Sequence, residues 1–422
     1  MGTIAQDKSL DPCVSRRAVA ERLGFYDFFA GVGLAGLGLG DAWQCLWAND
    51  FDPGKGEIYD KNFGPGLILI EDVSEVRARK LPGSPDLAWA SFPCQDLSLA
   101  GWQRGMTAKR SGAFWEFWRI IRELQTGARN PRILVIENVV GLLYGDNFVG
   151  LCEAIASLGY RFGALIMDAK RFVAQSRQRV FLIAVDSRVD TTGFTLSRPP
   201  VRSVWYPKKL RNSINGLDDE LKSMWVWWKL PTPARRKHSL SKVVTEPDEH
   251  DPSWFSEGQI DHLLSLMAER HRKKVEDAKA YTGKPKIMTV YKRRRKGYQR
   301  AEVRDDGISG CLRVPGGGSS RQTVLFAGNG QIRARLMNRR ELANLMGAPD
   351  SFWLPEQYNA AYQAMGDAVV VPVVSWLSDN LLTPLARRIR QSDESAPLDP
   401  ESLVRYMDRS LNRVGQWKKN ES

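Results

Sequence analysis

Phe25-Tyr26-Asp27-Phe28-Phe29-Ala30-Gly31-Val32-Gly33-Leu34-Ala35-Gly36-Leu37-Gly38 runs from an apolar, aromatic segment straight into a glycine-rich turn. The first five residues read as a buried strand. Glycines after them let the backbone turn tightly and approach a ligand, and a helix should follow. Gly31, Gly33 and Gly36 formally make G-x-G-x-x-G. Alone that is a weak signal, because a plain turn packing helix on strand looks the same. Cys45-Leu46-Trp47-Ala48-Asn49-Asp50 is a second strand. It ends in a carboxylate about 20 residues after the turn, where nucleotide-binding folds place a ribose ligand.

Outward from there the pattern repeats. Leu67 to Ile70 is a third apolar run, ending at Glu71-Asp72. Asp86 to Ala90 is a fourth, and it leads into Ser91-Phe92-Pro93-Cys94-Gln95-Asp96-Leu97-Ser98. Pro93 cannot donate to a sheet ladder, so the strand stops there and Cys94 sits in a loop. A thiol so placed can meet a substrate; the plainer alternative is a buried structural cysteine. Phe114, Phe117, Trp118, Ile121 and Leu124 recur at helical spacing and read as core. Arg132 to Ile136 is a strand ending at Glu137-Asn138, and a helix over about 147–158 is closed by Gly159. Ala164 to Met167 and Phe181 to Val185 complete the strands, with Gln175 to Arg179 between them. Alternating strands and helices predict an α/β fold with a doubly wound, mostly parallel sheet. Gly31, Asp50, Asp72, Cys94 and Glu137 should each fall just past a strand's carboxyl end, the edge along which such sheets bind ligands.

From about 187 the alternation stops at Pro199-Pro200, Trp225-Val226-Trp227-Trp228, Pro231 and Pro233. The expected organisation is a catalytic region over 1–187, a second, smaller domain over 188–330, and a segment over 331–422 that returns to the first. Asn338-x-x-Glu341 reads as a helix capping box, and Asp399-Pro400-Glu401 starts a helical tail. The net charge is +13, and Lys286 to Arg300 carries seven cations and no acid, with Tyr291 and Tyr298 interleaved. Clustered cations of that kind neutralise phosphates, which favours a nucleic-acid partner. No apolar helical face accompanies them, and no apolar run is seen that approaches the ~18 residues of a membrane span. Met1 to Arg22 lacks a signal-peptide layout. Five scattered cysteines without C-x-x-C, and four histidines without ligand spacing, argue against a disulfide framework and a metal site and for a reducing cytoplasm.

Taken together these segments resemble the DNA cytosine-C5 methyltransferases over about 25–185 and 331–377. Phe29-Ala30-Gly31-Val32-Gly33 matches the family's glycine motif. Pro93-Cys94-Gln95 with Ser98 matches its nucleophile motif, Glu137-Asn138-Val139 its acid motif, and Gln175-x-Arg177-x-Arg179 a later basic motif. Two departures stand out: Ser91 where the family often has Gly, and Asp367 in Gly366-Asp367-Ala368-Val369 where it usually has Asn.

The resemblance implies a transferase that methylates carbon 5 of a flipped-out cytosine in a short duplex DNA sequence. Cys94 would add to carbon 6, aided by nearby positive charge from Arg177 and Arg179. Glu137 would bond ring N3 and the exocyclic amine, and Gln95 would hold the backbone or the void left by the base. S-adenosylmethionine would lie on Phe29, Gly31, Val32 and Gly33 and leave as S-adenosylhomocysteine. Asp50 would bind the ribose hydroxyls, Phe51 would stack on adenine, Asp72 would take the adenine amine, and Val73 would belong to the same cofactor site. Pro93 and Asp367 would complete the site, with no metal. The 188–330 domain would read sequence, with the 286–300 run on phosphates and in the major groove. A monomer is expected, with a restriction endonuclease of the same site as a possible partner. A tRNA cytosine methyltransferase is the near alternative, although about 140 residues of recognition region favour DNA. A nicotinamide oxidoreductase shares the glycine turn but gives no reason for Pro-Cys-Gln, Glu-Asn-Val or the charge.

Overall fold

The computed structural model describes residues 22–93, 112–234, 236, 239–295, 297–314 and 321–395. Cys94, Gln95 and Ser98, and the tail helix expected after Asp399, lie outside the described residues. A seven-stranded sheet carries the catalytic region: β1 Leu23–Phe28, β2 Trp43–Asp50, β3 Ile68–Ile70, β4 Leu87–Ala90, β5 Ile133–Val139, β6 Tyr160–Asp168 and β7 Gln178–Asp186. Their order is β3-β2-β1-β4-β5-β7-β6, with β7 antiparallel to both its neighbours. β1 and β4 are near-continuous apolar runs because helices cover both faces of a parallel sheet, and both strands are buried throughout.

Helices α1 Leu34–Leu39, α2 Pro53–Phe63, α3 Ala113–Thr126 and α4 Asp146–Ser157 connect the strands. The aromatic stripe of α3 is core: Phe114, Phe117, Trp118, Ile121 and Leu124 are all buried. Burying each such side chain contributes roughly 1.5–3 kcal/mol.

Glu137 lies within a strand rather than just past one. The antiparallel β7 extends the ladder, pairing Glu137 with Phe181 and Val139 with Arg179. Arg179 therefore also belongs to a strand, not to the link between strands.

The second core starts later than the boundary at 188. Short elements β8 Thr195–Leu196, α5 Lys208–Asn215, α6 Asp219–Met224, β9 Trp227–Trp228 and α7 Leu240–Val243 share the core of the catalytic region. Trp228 donates its indole N–H to the Gly163 carbonyl at 3.1 Å, and the Val226 amide donates to Phe162 at 2.8 Å. A separate core unites α8 Glu257–Ser265 and α9 Glu269–Lys279 with one face of a four-stranded antiparallel sheet. That sheet is ordered β11-β10-β12-β13, from β10 Lys286–Arg295, β11 Tyr298–Arg304, β12 Thr323–Gly328 and β13 Gln331–Leu336.

The chain then returns through α10 Arg339–Met346, α11 Tyr358–Asp367, α12 Val371–Leu377 and α13 Thr383–Ser395. Asn338 and Glu341 form the reciprocal capping box. Ser378 donates to the Leu39 carbonyl at 2.9 Å, Trp43 to Thr383 at 2.8 Å, and Arg390 grips Asp86 through two bonds. Tyr358 to Ser392 is long and apolar enough by composition to cross a membrane, contrary to the reading of the sequence, but its apolar face packs on α1 and β1. Interruptions such as Asp367 and Asp379 hide that length from a search for unbroken apolar runs.

Candidate active site

The chain passes from β1 to β2 and β3 on one side, then restarts at β4 on the other. At that reversal the loops after β1 and β4 part and leave a crevice at the carboxyl edge. A cleft enclosing about 1000 Å³, open solvent at its mouth included, lies there. Of the residues expected to act, Phe29, Gly31, Val32, Asp50, Phe51, Pro93, Glu137, Arg177, Arg179 and Asp367 all line it. Gly33, Asp72 and Val73 do not. A Cβ on Gly33 would sit 2.3 Å from the Phe63 ring, so that glycine serves close packing. Asp72 caps the short turn Val73–Glu75 by accepting from the Ser74 amide at 2.8 Å.

The turn after β1 is strained where it meets the cleft. Phe29 holds φ 57°, a left-handed conformation uncommon for a non-glycine residue. Gly31 follows with φ 58°, and nothing lies within 4 Å of where its Cβ would be. Asp50 fastens this turn, accepting from the Gly31 amide at 2.9 Å and from the Asp52 amide at 3.0 Å. Phe51 beside it is 67% exposed, an aromatic face offered to the cleft. Open space at Gly31, a bare aromatic and a fixed carboxylate fit the adenosine end of a nucleoside cofactor.

Glu137 and Arg179 form the opposite wall. Both are mostly buried, and Arg179 Nε stands 3.1 Å from Glu137 Oε1. That contact lacks the alignment of a hydrogen bond, which leaves Oε1 with unmet acceptor capacity in a buried site. Asn138 clamps the two halves, donating to the Phe92 carbonyl at 3.0 Å and accepting from the Val139 amide at 2.8 Å. It thus fixes the backbone two residues before Cys94. Ser91, the departure from Gly, accepts the Trp89 indole N–H at 2.9 Å.

Arg177 is buried to 3% exposure and points at backbone. It donates to Leu312 at 2.7 Å, Gly366 at 3.0 Å and Ala368 at 2.8 Å. Gln175 donates to the Leu345 carbonyl at 2.9 Å and accepts from the Leu312 amide at 3.0 Å. The basic motif therefore joins the catalytic sheet, the link between β11 and β12 and the return segment. Burial pulls the Arg177 guanidinium down to about 10. Burial alone would raise the nearby Cys311 thiol, but Arg177, Arg179 and Arg313 outweigh it and hold the thiol below its ordinary value.

Two ionisable lining residues escaped the sequence reading. Asp27 is 1% exposed and neither carboxylate oxygen has a partner. Burial, then the charge of Asp50, pushes it up to about 8. Lys55 on α2 reaches across to Asp367 at the end of α11, with Nζ 2.9 Å from Oδ2. Burial would lower this ammonium, but Asp367, with Asp50 and Asp52, outweighs that and raises it. Asp27 was legible as a carboxylate inside an apolar strand; nothing local marks Lys55. Among the described residues no cluster of three potential metal ligands occurs.

The family model for C-5 cytosine-specific DNA methylases matches residues 23–383. Type II methyltransferase M.HhaI of Haemophilus parahaemolyticus is 25% identical over 364 residues, covering 85% of this chain and 94% of that protein. Type II methyltransferase M.HpaII of Haemophilus parainfluenzae is 26% identical over 390 residues, covering 86% and 90%. Among solved structures, the S. pombe Dnmt2 methyltransferase aligns with a TM-score of 0.55 at 18% identity, over 86% of this chain and 99% of that one. That likeness concerns the fold. With a match spanning most of its length, and the cleft at the sheet's reversal point, the chain belongs to the C-5 cytosine-specific DNA methylase family.

Proposed function

We propose that this chain transfers a methyl group from S-adenosylmethionine to carbon 5 of a cytosine flipped out of a specific short duplex DNA sequence. The observation that carries the proposal is one cleft with two unlike walls. On one side are the open Gly31 turn, Asp50 and Phe51; on the other are Glu137 and Arg179. Asn138 holds the backbone leading to Cys94 between them.

Cys94 forms a bond from sulfur to carbon 6 of the cytosine, which makes carbon 5 enamine-like and nucleophilic. Glu137 delivers a proton to ring N3 as that bond forms, so that negative charge does not accumulate in the ring. Arg179 orients the Glu137 carboxylate, and Gln95 supports the backbone or the vacated base position. The cofactor, when bound, supplies an electrophilic methyl group on a sulfonium and needs no metal. Gly31, Asp50, Phe51 and Asp367 hold it, with Phe29, Val32 and Pro93 closing the walls. The N3 proton then returns to Glu137, and loss of the carbon 5 proton to water expels the Cys94 thiolate and restores the aromatic ring.

The β10–β11 hairpin supports duplex DNA as the substrate. Tyr291 and Glu302, Arg293 and Arg300 face one another on the side opposite the helices α8 and α9. Arg293 is held by Glu302 at 3.2 Å and by the Tyr291 hydroxyl, an arrangement that aims a guanidinium at a base edge. Lys292, Arg294 and Arg300 supply phosphate contacts. The same reading assigns a monomeric, cytoplasmic bacterial enzyme, paired with a restriction endonuclease or acting alone.

Bisulfite sequencing of DNA from cells expressing the chain tests this directly. Methylated cytosines confined to one short context are expected, and none with Cys94→Ala. A profile matching the empty-vector control for the unaltered chain would refute the proposal.

A further inference from the structure

We infer that Lys55, held in place by Asp367, binds the α-carboxylate at the amino-acid end of the methyl donor. The inference rests on the donor assigned under the proposed function. That ligand carries two positive groups, a sulfonium and an ammonium, and a single negative one. The described residues lining the cleft include three cations: Lys55, Arg177 and Arg179. Arg177 is enclosed and donates to the carbonyls of Leu312, Gly366 and Ala368. Arg179 stands against Glu137 on the far wall. Lys55 remains, with its side chain 15% exposed at the cleft. An ammonium has three donor hydrogens, and the ion pair to Asp367 at 2.9 Å engages one of them.

Charge balance requires such a group. Asp50 and Asp367 both line the cleft, which suits a cationic ligand but repels a carboxylate. Asp367 and Lys55 together present opposite charges side by side, the complement of a zwitterionic amino-acid end. The pair also joins α2 to the end of α11, so the ligand's end is held where the return segment closes on the nucleotide half. Asp367 itself is held from behind, because Arg177 grips the carbonyls of both Gly366 and Ala368. The unusual acid at position 367 thus has a defined partner far away in the chain.

The test compares two probes by isothermal titration calorimetry on the full chain. S-adenosylhomocysteine carries the amino-acid end; 5′-methylthioadenosine lacks it. Losing a charge-assisted bond to a carboxylate should weaken S-adenosylhomocysteine binding to Lys55→Met by ~10–100-fold. Binding of methylthioadenosine should stay within ~2-fold, which also reports an intact cleft, and Lys55→Arg should recover part of the loss. Equal losses for both probes would make Lys55 a packing residue and overturn the inference, as would no loss for either. Failure of the unaltered chain to bind S-adenosylhomocysteine at all would overturn the donor assignment and this inference together.

Discussion

Asp27 sits one strand position before the glycine turn with both carboxylate oxygens unpartnered. Burial in an apolar strand disfavours its ionised form, so the folded protein holds the proton more tightly than the unfolded chain does. The sign follows from linkage. A carboxyl raised from 3.8 to about 8 contributes most below pH 3.8, and its contribution is lost as pH rises through about 8. Asp27→Asn, which mimics the protonated form, should therefore gain in melting temperature over the unaltered ligand-free protein as pH rises from 4 to 8. Calorimetric scans across that range check it; a difference independent of pH would refute the protonated state. At the same scale, the place of Glu137 in the cleft was legible because its motif is local. Arg177 was legible as a motif residue, but not as the clasp on three carbonyls, because those carbonyls lie far away in sequence.

Among elements, the contact of α1 with α12 fixes the return segment against the cofactor turn. A Cβ on Gly38 would lie 2.5 Å from Val374 Cβ and 3.0 Å from the Val371 carbonyl oxygen. Both neighbours are held by helix packing, so Gly38→Ala should destabilise the protein by about 1–3 kcal/mol through overpacking. Gly258 provides the contrast, since it lies in helix α8 with nothing within 4 Å of where an added Cβ would stand. Gly258→Ala should be neutral or stabilising by up to ~1 kcal/mol. Urea midpoints for the two variants test the pair, and similar values would show that α1 and α12 are not in close register. The strand-to-glycine transition at 25–38 predicted the element boundary well. The extension of β5 through Glu137 was not visible, because an antiparallel neighbour that arrives more than 40 residues later supplies the pairing.

At the scale of the whole molecule, charge and topology divide the labour. The catalytic sheet binds along its carboxyl edge, and the basic hairpin extends from a separate core beside it. Arg294 and Arg300 are exposed on that hairpin. Each phosphate contact removed should lower the slope of log affinity against log salt by ~0.9. Arg294→Ala with Arg300→Ala should therefore flatten the slope by ~2 while leaving the methylated context unchanged. Fluorescence anisotropy on a duplex over a salt series measures this, and an unchanged slope would move the phosphate contacts elsewhere.

The sequence by itself determined the doubly wound sheet, its carboxyl edge and most of the residues gathered there. Apolar runs, glycine turns and capping residues act over a few neighbours, so their signals survive in one dimension. Tertiary structure alone decided that β7 runs antiparallel, that residues 195–244 join the first core, and that Lys55 meets Asp367. Each of those depends on which distant segments come to share a surface, and no local pattern of residue types encodes that choice.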